Sequence, residues 1–168
     1  MKRYFLIVLV LALVCALLGC SKPVAVTQDL TTFYYCRADY AYGSEDGIVT
    51  AEQRDITGHA GDPGYILALY LMGPMEETFV SPFPASTRLL AMVQTDEGLF
   101  ITLTDLGKSL SDAEFTLACS CLTKTCLDVM DIPEVTITSG ERTITLQAAD
   151  LLLYDDGLPA QQNTEETQ

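Results

Sequence analysis

Apolar and polar positions divide the chain into one unbroken apolar run at its start and a series of shorter patterned segments beyond residue 29. Leu30 to Arg37, LTTFYYCR, is aromatic and threonine-rich, a composition that predicts a strand. Ala38 to Gly47 carries Asp, Gly, Ser and Glu and reads as a loop, followed by a second, more polar strand over Gly47 to Thr57. Gly58-His59-Ala60-Gly61 breaks the pattern. Asp62-Pro63 then opens a helix: the Asp62 carboxylate suits the free amides of a first turn, and proline fits the first helical position. Tyr65 to Met72 is nearly all apolar, so this helix is expected to be covered on most sides, and Gly73-Pro74 ends it. Two prolines make Ser81-Pro82-Phe83-Pro84 an extended, rigid connection.

Two hairpins follow in the pattern. Thr87 to Gln94 and Leu99 to Thr104 flank the acidic turn Thr95-Asp96-Glu97-Gly98, and Val135 to Thr138 and Arg142 to Leu146 flank Ser139-Gly140-Glu141. Between them, Ser111-Asp112-Ala113-Glu114 has the spacing of a capping box and starts a second helix. Phe115, Ala118, Cys119, Leu122, Cys126 and Val129 fall near one face of it, which makes Cys119 and Cys126 core positions and leaves Cys121 outside the stripe. Leu151 to Tyr154 is apolar enough for a last edge strand. The order strand, strand, helix, hairpin, helix, hairpin predicts an α+β fold: a mixed, mostly antiparallel sheet with two helices packed on one face, a two-layer sandwich.

The N-terminal run changes where this domain is expected to work. Lys2 and Arg3 precede an uncharged apolar stretch from Tyr4 to Leu18, and Leu17-Leu18-Gly19-Cys20 closes it. At about 15 residues the stretch is short of the ~20 that span a bilayer, as a signal peptide should be. Its end resembles the lipobox of bacterial lipoproteins. That resemblance implies that Cys20 receives a diacylglycerol, becomes the first residue after cleavage, and is N-acylated. The expected organisation is a signal over residues 1–19, a tether over 20–28, one domain over 29–156 and a disordered polar tail over 157–168.

Charge and cysteines narrow the partners. The formal net charge is −14, and losing Lys2 and Arg3 with the signal takes it to −16. Such a surface repels nucleic acid and anionic headgroups, so nucleic acid is excluded and attachment to the membrane falls to the lipid. Of six cysteines, Cys15 leaves with the signal and Cys20 is lipidated. Cys119 and Cys121, two apart in a helix, point apart and do not pair. A bridge from Cys36 to Cys119, Cys121 or Cys126 stays open, beside the plainer reading of four small buried side chains. No spacing of these cysteines or of the sole histidine matches a metal site, and none of the acidic stretches has that of a calcium loop.

Catalytic patterns are lacking. His59 with Asp55 or Asp62 and Ser44 can be drawn as a triad, yet nothing in the spacing demands it, and no nucleophile elbow or phosphate-cradling loop occurs. Glu76-Glu77, Asp96-Glu97 and Asp155-Asp156 read as solvated pairs. No catalytic residue, metal or cofactor is expected beyond the acyl groups on Cys20. The candidate contact surface is the tyrosine cluster Tyr34, Tyr35, Tyr40 and Tyr42, able to stack on a sugar or line an interface, together with the rigid loop Pro82, Phe83 and Pro84.

Several of these segments, taken in order, resemble the GerMN domain of sporulation and spore-germination proteins. They are the strand around Phe33-Tyr34-Tyr35, the helix ending Leu69-Tyr70-Leu71-Met72-Gly73-Pro74, and the loop Ser81-Pro82-Phe83-Pro84-Ala85-Ser86-Thr87. The hairpin Leu89 to Leu103 and the helix from Ser111 complete the order. The cysteines of the second helix are not part of that pattern. The resemblance implies a non-enzymatic interaction or scaffold role at the cell envelope, often in lipoproteins, with an envelope protein or a second copy as partner. A lipoprotein that binds cell-wall glycan or a small ligand through the tyrosines is the alternative, and an exported thiol-redox protein a third reading.

Overall fold

The computed structural model describes residues 29–41 and 47–151. The expected signal, tether and tail, Cys20, Tyr42, Ser44, residues 152–154 of the expected edge strand and Asp155-Asp156 lie outside them.

Strand β1 (Leu30–Arg37) runs antiparallel between β2 (Val49–Asp55) and a two-residue β3 (Phe79–Val80). Helix α1 (Pro63–Leu71) sits between β2 and β3 in the chain. Asp62 accepts a hydrogen bond from the Tyr65 amide at 3.0 Å, Pro63 takes the first turn, and Gly73 at φ 90° turns the chain out of the helix, all as the sequence predicts. Every α1 residue except Ala68 is buried or half-buried.

The remaining strands form a second sheet in the order β4 (Leu89–Thr95), β5 (Gly98–Leu103), β6 (Glu134–Ser139), β7 (Arg142–Gln147). β4–β5 and β6–β7 are the two expected hairpins. β5 and β6 pair in parallel, because the 18-residue helix α2 (Asp112–Val129) carries the chain back to the starting end. Ser111 and Glu114 close the expected capping box around the start of α2. The class is therefore α+β, with the strands shared between two sheets. The two-residue β3 occupies the second side of β1, and β4 to β7 complete each other.

Helix α2 touches both sheets, β1 on one side and β6 and β7 on the other. This corrects the expectation for Cys121. A single stripe presumes one buried face, whereas α2 buries Cys121, Thr123 and Thr125 as well as Cys119, Leu122 and Cys126. Between the layers, Phe33 and Tyr35 of β1 meet Tyr70 of α1 and Phe83. Tyr35 and Tyr70 stack at 5.0 Å, and Phe83 meets Tyr70 edge-on at 6.3 Å. The two tyrosines tie helix to strand: Tyr70 donates to the Tyr34 carbonyl at 2.9 Å and Tyr35 to the Tyr70 carbonyl at 3.3 Å. Burial pushes both phenols above their ordinary range, so they stay neutral donors.

Gly98 marks where the second sheet closes tightly. Its φ is 153°, and a Cβ there would stand 2.5 Å from the Glu134 carbonyl oxygen of β6. A glycine lets β5 approach β6 at that point.

Candidate interaction surface

The described members of the expected tyrosine and proline surface are buried or half-buried. Tyr35 and Phe83 are core residues, because the inward alternation of β1 and the seat beside Tyr70 claim them. Tyr34 is half-buried, with its hydroxyl donating to Asp128 at 2.6 Å and Lys124 lying 4.6 Å from its ring centroid. Tyr40 is half-buried and packs on the core, and Pro82 and Pro84 are half-buried beside Phe83.

His59 is exposed and stacks on Tyr65 at 3.7 Å. The carboxylates near it in sequence are engaged elsewhere. Asp55 accepts from the Thr57 hydroxyl at 2.6 Å and amide at 2.9 Å, bonds that hold its pKa below the ordinary carboxylate value, and Asp62 caps α1. Glu76-Glu77 and Asp96-Glu97 are exposed. Among the described residues no three His, Cys, Asp or Glu side chains gather as a metal-binding set, and no helix is long and apolar enough to cross a membrane. An open cleft of about 550 Å³ lies beside the Arg37–Asp39 pair, with Thr50, Thr78 and Phe79 also lining it.

The polar strand β2 hides a device that its sequence does not announce. Glu52 and Arg54, two apart and therefore on one face, are buried, with side chains only 5% and 6% exposed. They bond at 3.2 Å. Glu52 also accepts from the amides of Met75 at 2.8 Å and Glu76 at 3.0 Å, while Arg54 donates to the Gly73 carbonyl at 3.1 Å and lies 5.7 Å from the Phe33 ring. The pair thus grips the Gly73–Glu76 turn that follows α1, the Gly-Pro helix end noted in the sequence.

An apolar stretch of the surface lies at β4. It ends its sheet, so one side of its backbone has no strand beside it among the described residues. Its seven residues, LLAMVQT, include no charge and no proline. A register shift between Leu89 and Ala91 puts Leu90 in a bulge, 63% exposed, and Val93 is 57% exposed opposite Phe100 of β5. Edge strands are usually blunted by charge, proline or cover; here only the bulge interrupts an apolar edge. The signal was present in the sequence: β4 carries apolar residues at both alternate positions, more than one buried face requires.

All four described cysteines are buried free thiols. Burial raises Cys119 and Cys126 to about 12, Cys119 having Arg142 nearby. The Cys36 and Cys121 thiols act on each other, which lowers the pKa of the first and, with burial, raises that of the second.

No protein-family model matches the chain, and no curated protein matches it. Among solved structures it is similar to the tandem GerMN domains of the sporulation protein GerM from Bacillus subtilis, with 14% identity over 74% of this chain, 43% of that chain and a TM-score of 0.47. It is also similar to a Clostridium perfringens protein provisionally described as a lipoprotein, with 12% identity over 75% of this chain, 91% of that chain and a TM-score of 0.46.

Proposed function

We propose that the chain is a lipid-anchored, extracytoplasmic module of the bacterial cell envelope that works by binding another protein, in the manner of a GerMN-like component of sporulation or germination. The anchor is the acylated Cys20. The observation that carries the binding role is the apolar edge of β4, where Leu90, Val93 and the neighbouring Phe100 stand exposed and, among the described residues, a strand lies on one side of β4 only. Such an edge offers main-chain groups for strand addition and alternate side chains for selection. The net charge of −14 lies outside β4 itself, so the strand is an uncharged window in an acidic surface. That contrast favours a partner with an apolar strand and a basic or neutral rim, an envelope protein ahead of a second acidic copy.

Two measurements test this reading. Cys20→Ser should move the protein from the membrane fraction to the soluble one and abolish labelling by a fatty-acid probe; membrane retention without label would count against the anchor. The paired variant Leu90→Lys, Val93→Lys should lose the partner captured by crosslinking from sporulating envelopes while keeping its circular dichroism spectrum. Undiminished capture by a folded variant would remove β4 from the account.

A further inference from the structure

Cys36 and Cys121 meet across the contact between β1 and α2, and three observations make that meeting specific. Both side chains are enclosed, Cys36 at 1% and Cys121 at 0% exposure. Each thiol lies near enough to the other to shift its proton affinity. The strand and helix are pinned beside them, since the Tyr34 amide donates to the Thr125 hydroxyl at 3.0 Å and the Tyr34 hydroxyl to Asp128 at 2.6 Å. From Tyr34 to Cys36 the strand advances about 6.6 Å, and from Thr125 back to Cys121 the helix retreats about 6 Å, so the two elements stay in step over this stretch.

The other cysteines are differently placed. Cys119, two residues from Cys121 on α2, lies toward Arg142 of β7, in the other sheet. Cys126 owes its raised pKa to burial alone, with no thiol partner.

We infer that Cys36 and Cys121 are the site of one structural disulfide, formed as the exported chain folds and joining the first strand to the second helix. The oxidant is a disulfide, either a small-molecule one or that of an exported thiol oxidoreductase. Before α2 closes on β1, the Cys36 thiolate attacks the oxidant's S–S bond, giving a mixed disulfide and releasing one thiol that takes up a proton. Folding then brings the Cys121 thiolate onto the Cys36 sulfur, which expels the second thiol. Two protein thiols lose two protons and two electrons, and one oxidant disulfide becomes two thiols. Once formed, the bond lies beyond the reach of external reductants unless the chain opens.

The test uses the full chain, purified in detergent, reduced and denatured, then refolded in a mixture of oxidised and reduced glutathione. Quenching with acid, alkylation under denaturing conditions and peptide mapping follow. The expected result is a single bridged peptide pair, Cys36 with Cys121, and alkylated Cys119 and Cys126. Reduction should then lower the melting temperature on the order of 10 °C in the natural chain, and leave that of the double variant Cys36→Ala, Cys121→Ala unmoved. Four alkylated thiols in the refolded protein, or a dominant bridge through Cys119 or Cys126, would overturn the inference. The outcome is independent of whether β4 binds a partner.

Discussion

Removing the Glu52 carboxylate isolates one of the strongest local constraints in the fold. Glu52→Ala takes away the acceptor of three donors: Arg54 Nη1 at 3.2 Å and the amides of Met75 and Glu76 at 2.8 and 3.0 Å. Each donor left without a partner costs about 1–3 kcal/mol where water does not reach it, and breaking a buried ion pair costs about 3–5 kcal/mol. Arg54 keeps the Gly73 carbonyl at 3.1 Å and the Phe33 ring, and the turn amides are close enough to solvent to recruit water. The expected loss is therefore about 3 kcal/mol, or roughly a 10 °C fall in melting temperature for a domain of this size. The double change Glu52→Leu, Arg54→Met removes both charges together and should cost less than the single one, since no ion is left unpaired. Urea unfolding followed by circular dichroism measures both. A single variant that loses under about 1 kcal/mol, or a double variant worse than the single, would refute the burial argument.

Three further expectations follow from the same contacts. Gly98→Ala should destabilise by about 1–3 kcal/mol, because its Cβ would meet the Glu134 carbonyl oxygen at 2.5 Å; the melting temperature reports it. Alkali should weaken the reduced protein in a defined window. Cys119 and Cys126 titrate near 12 when folded and near 9 when free, so their contribution is intact below about pH 9 and is lost as pH rises toward 12. Unfolding midpoints between pH 8 and 11.5 measure this, with a shallower fall expected for Cys126→Ala. Ser111→Ala should cost about 1 kcal/mol by opening the first turn of α2, and should return the Glu114 pKa, depressed by its bonds to Ser111, toward its ordinary value in a carbon-detected titration.

What could be read from the chain was local. Asp62 with Pro63, and Ser111 with Glu114, declare helix starts through side chains that bond within three residues, so both caps stand where the sequence put them. The hairpins were legible because their turns are short and their flanks alternate. The division into two sheets was not, since it depends on β3, two residues with no pattern of their own, taking the second side of β1. Cys121 was placed outside the core because helical periodicity assumes one buried face, and α2 has two sheets against it. Tyr35 and Tyr34 are neighbours of the same type, and only the layer on each side of β1 decides which is buried. The burial of Glu52 and Arg54 was not legible, because their other partners, Gly73, Met75 and Glu76, are 19 to 24 residues away.

A photoreactive amino acid placed at Val93, in the full lipidated chain in sporulating envelopes, tests the central claim most directly. Thr145, exposed on β7 at the opposite edge of the same sheet, is the control position. One discrete protein adduct is expected from Val93 and none from Thr145. No adduct at Val93, or equal adducts from both positions, would contradict it.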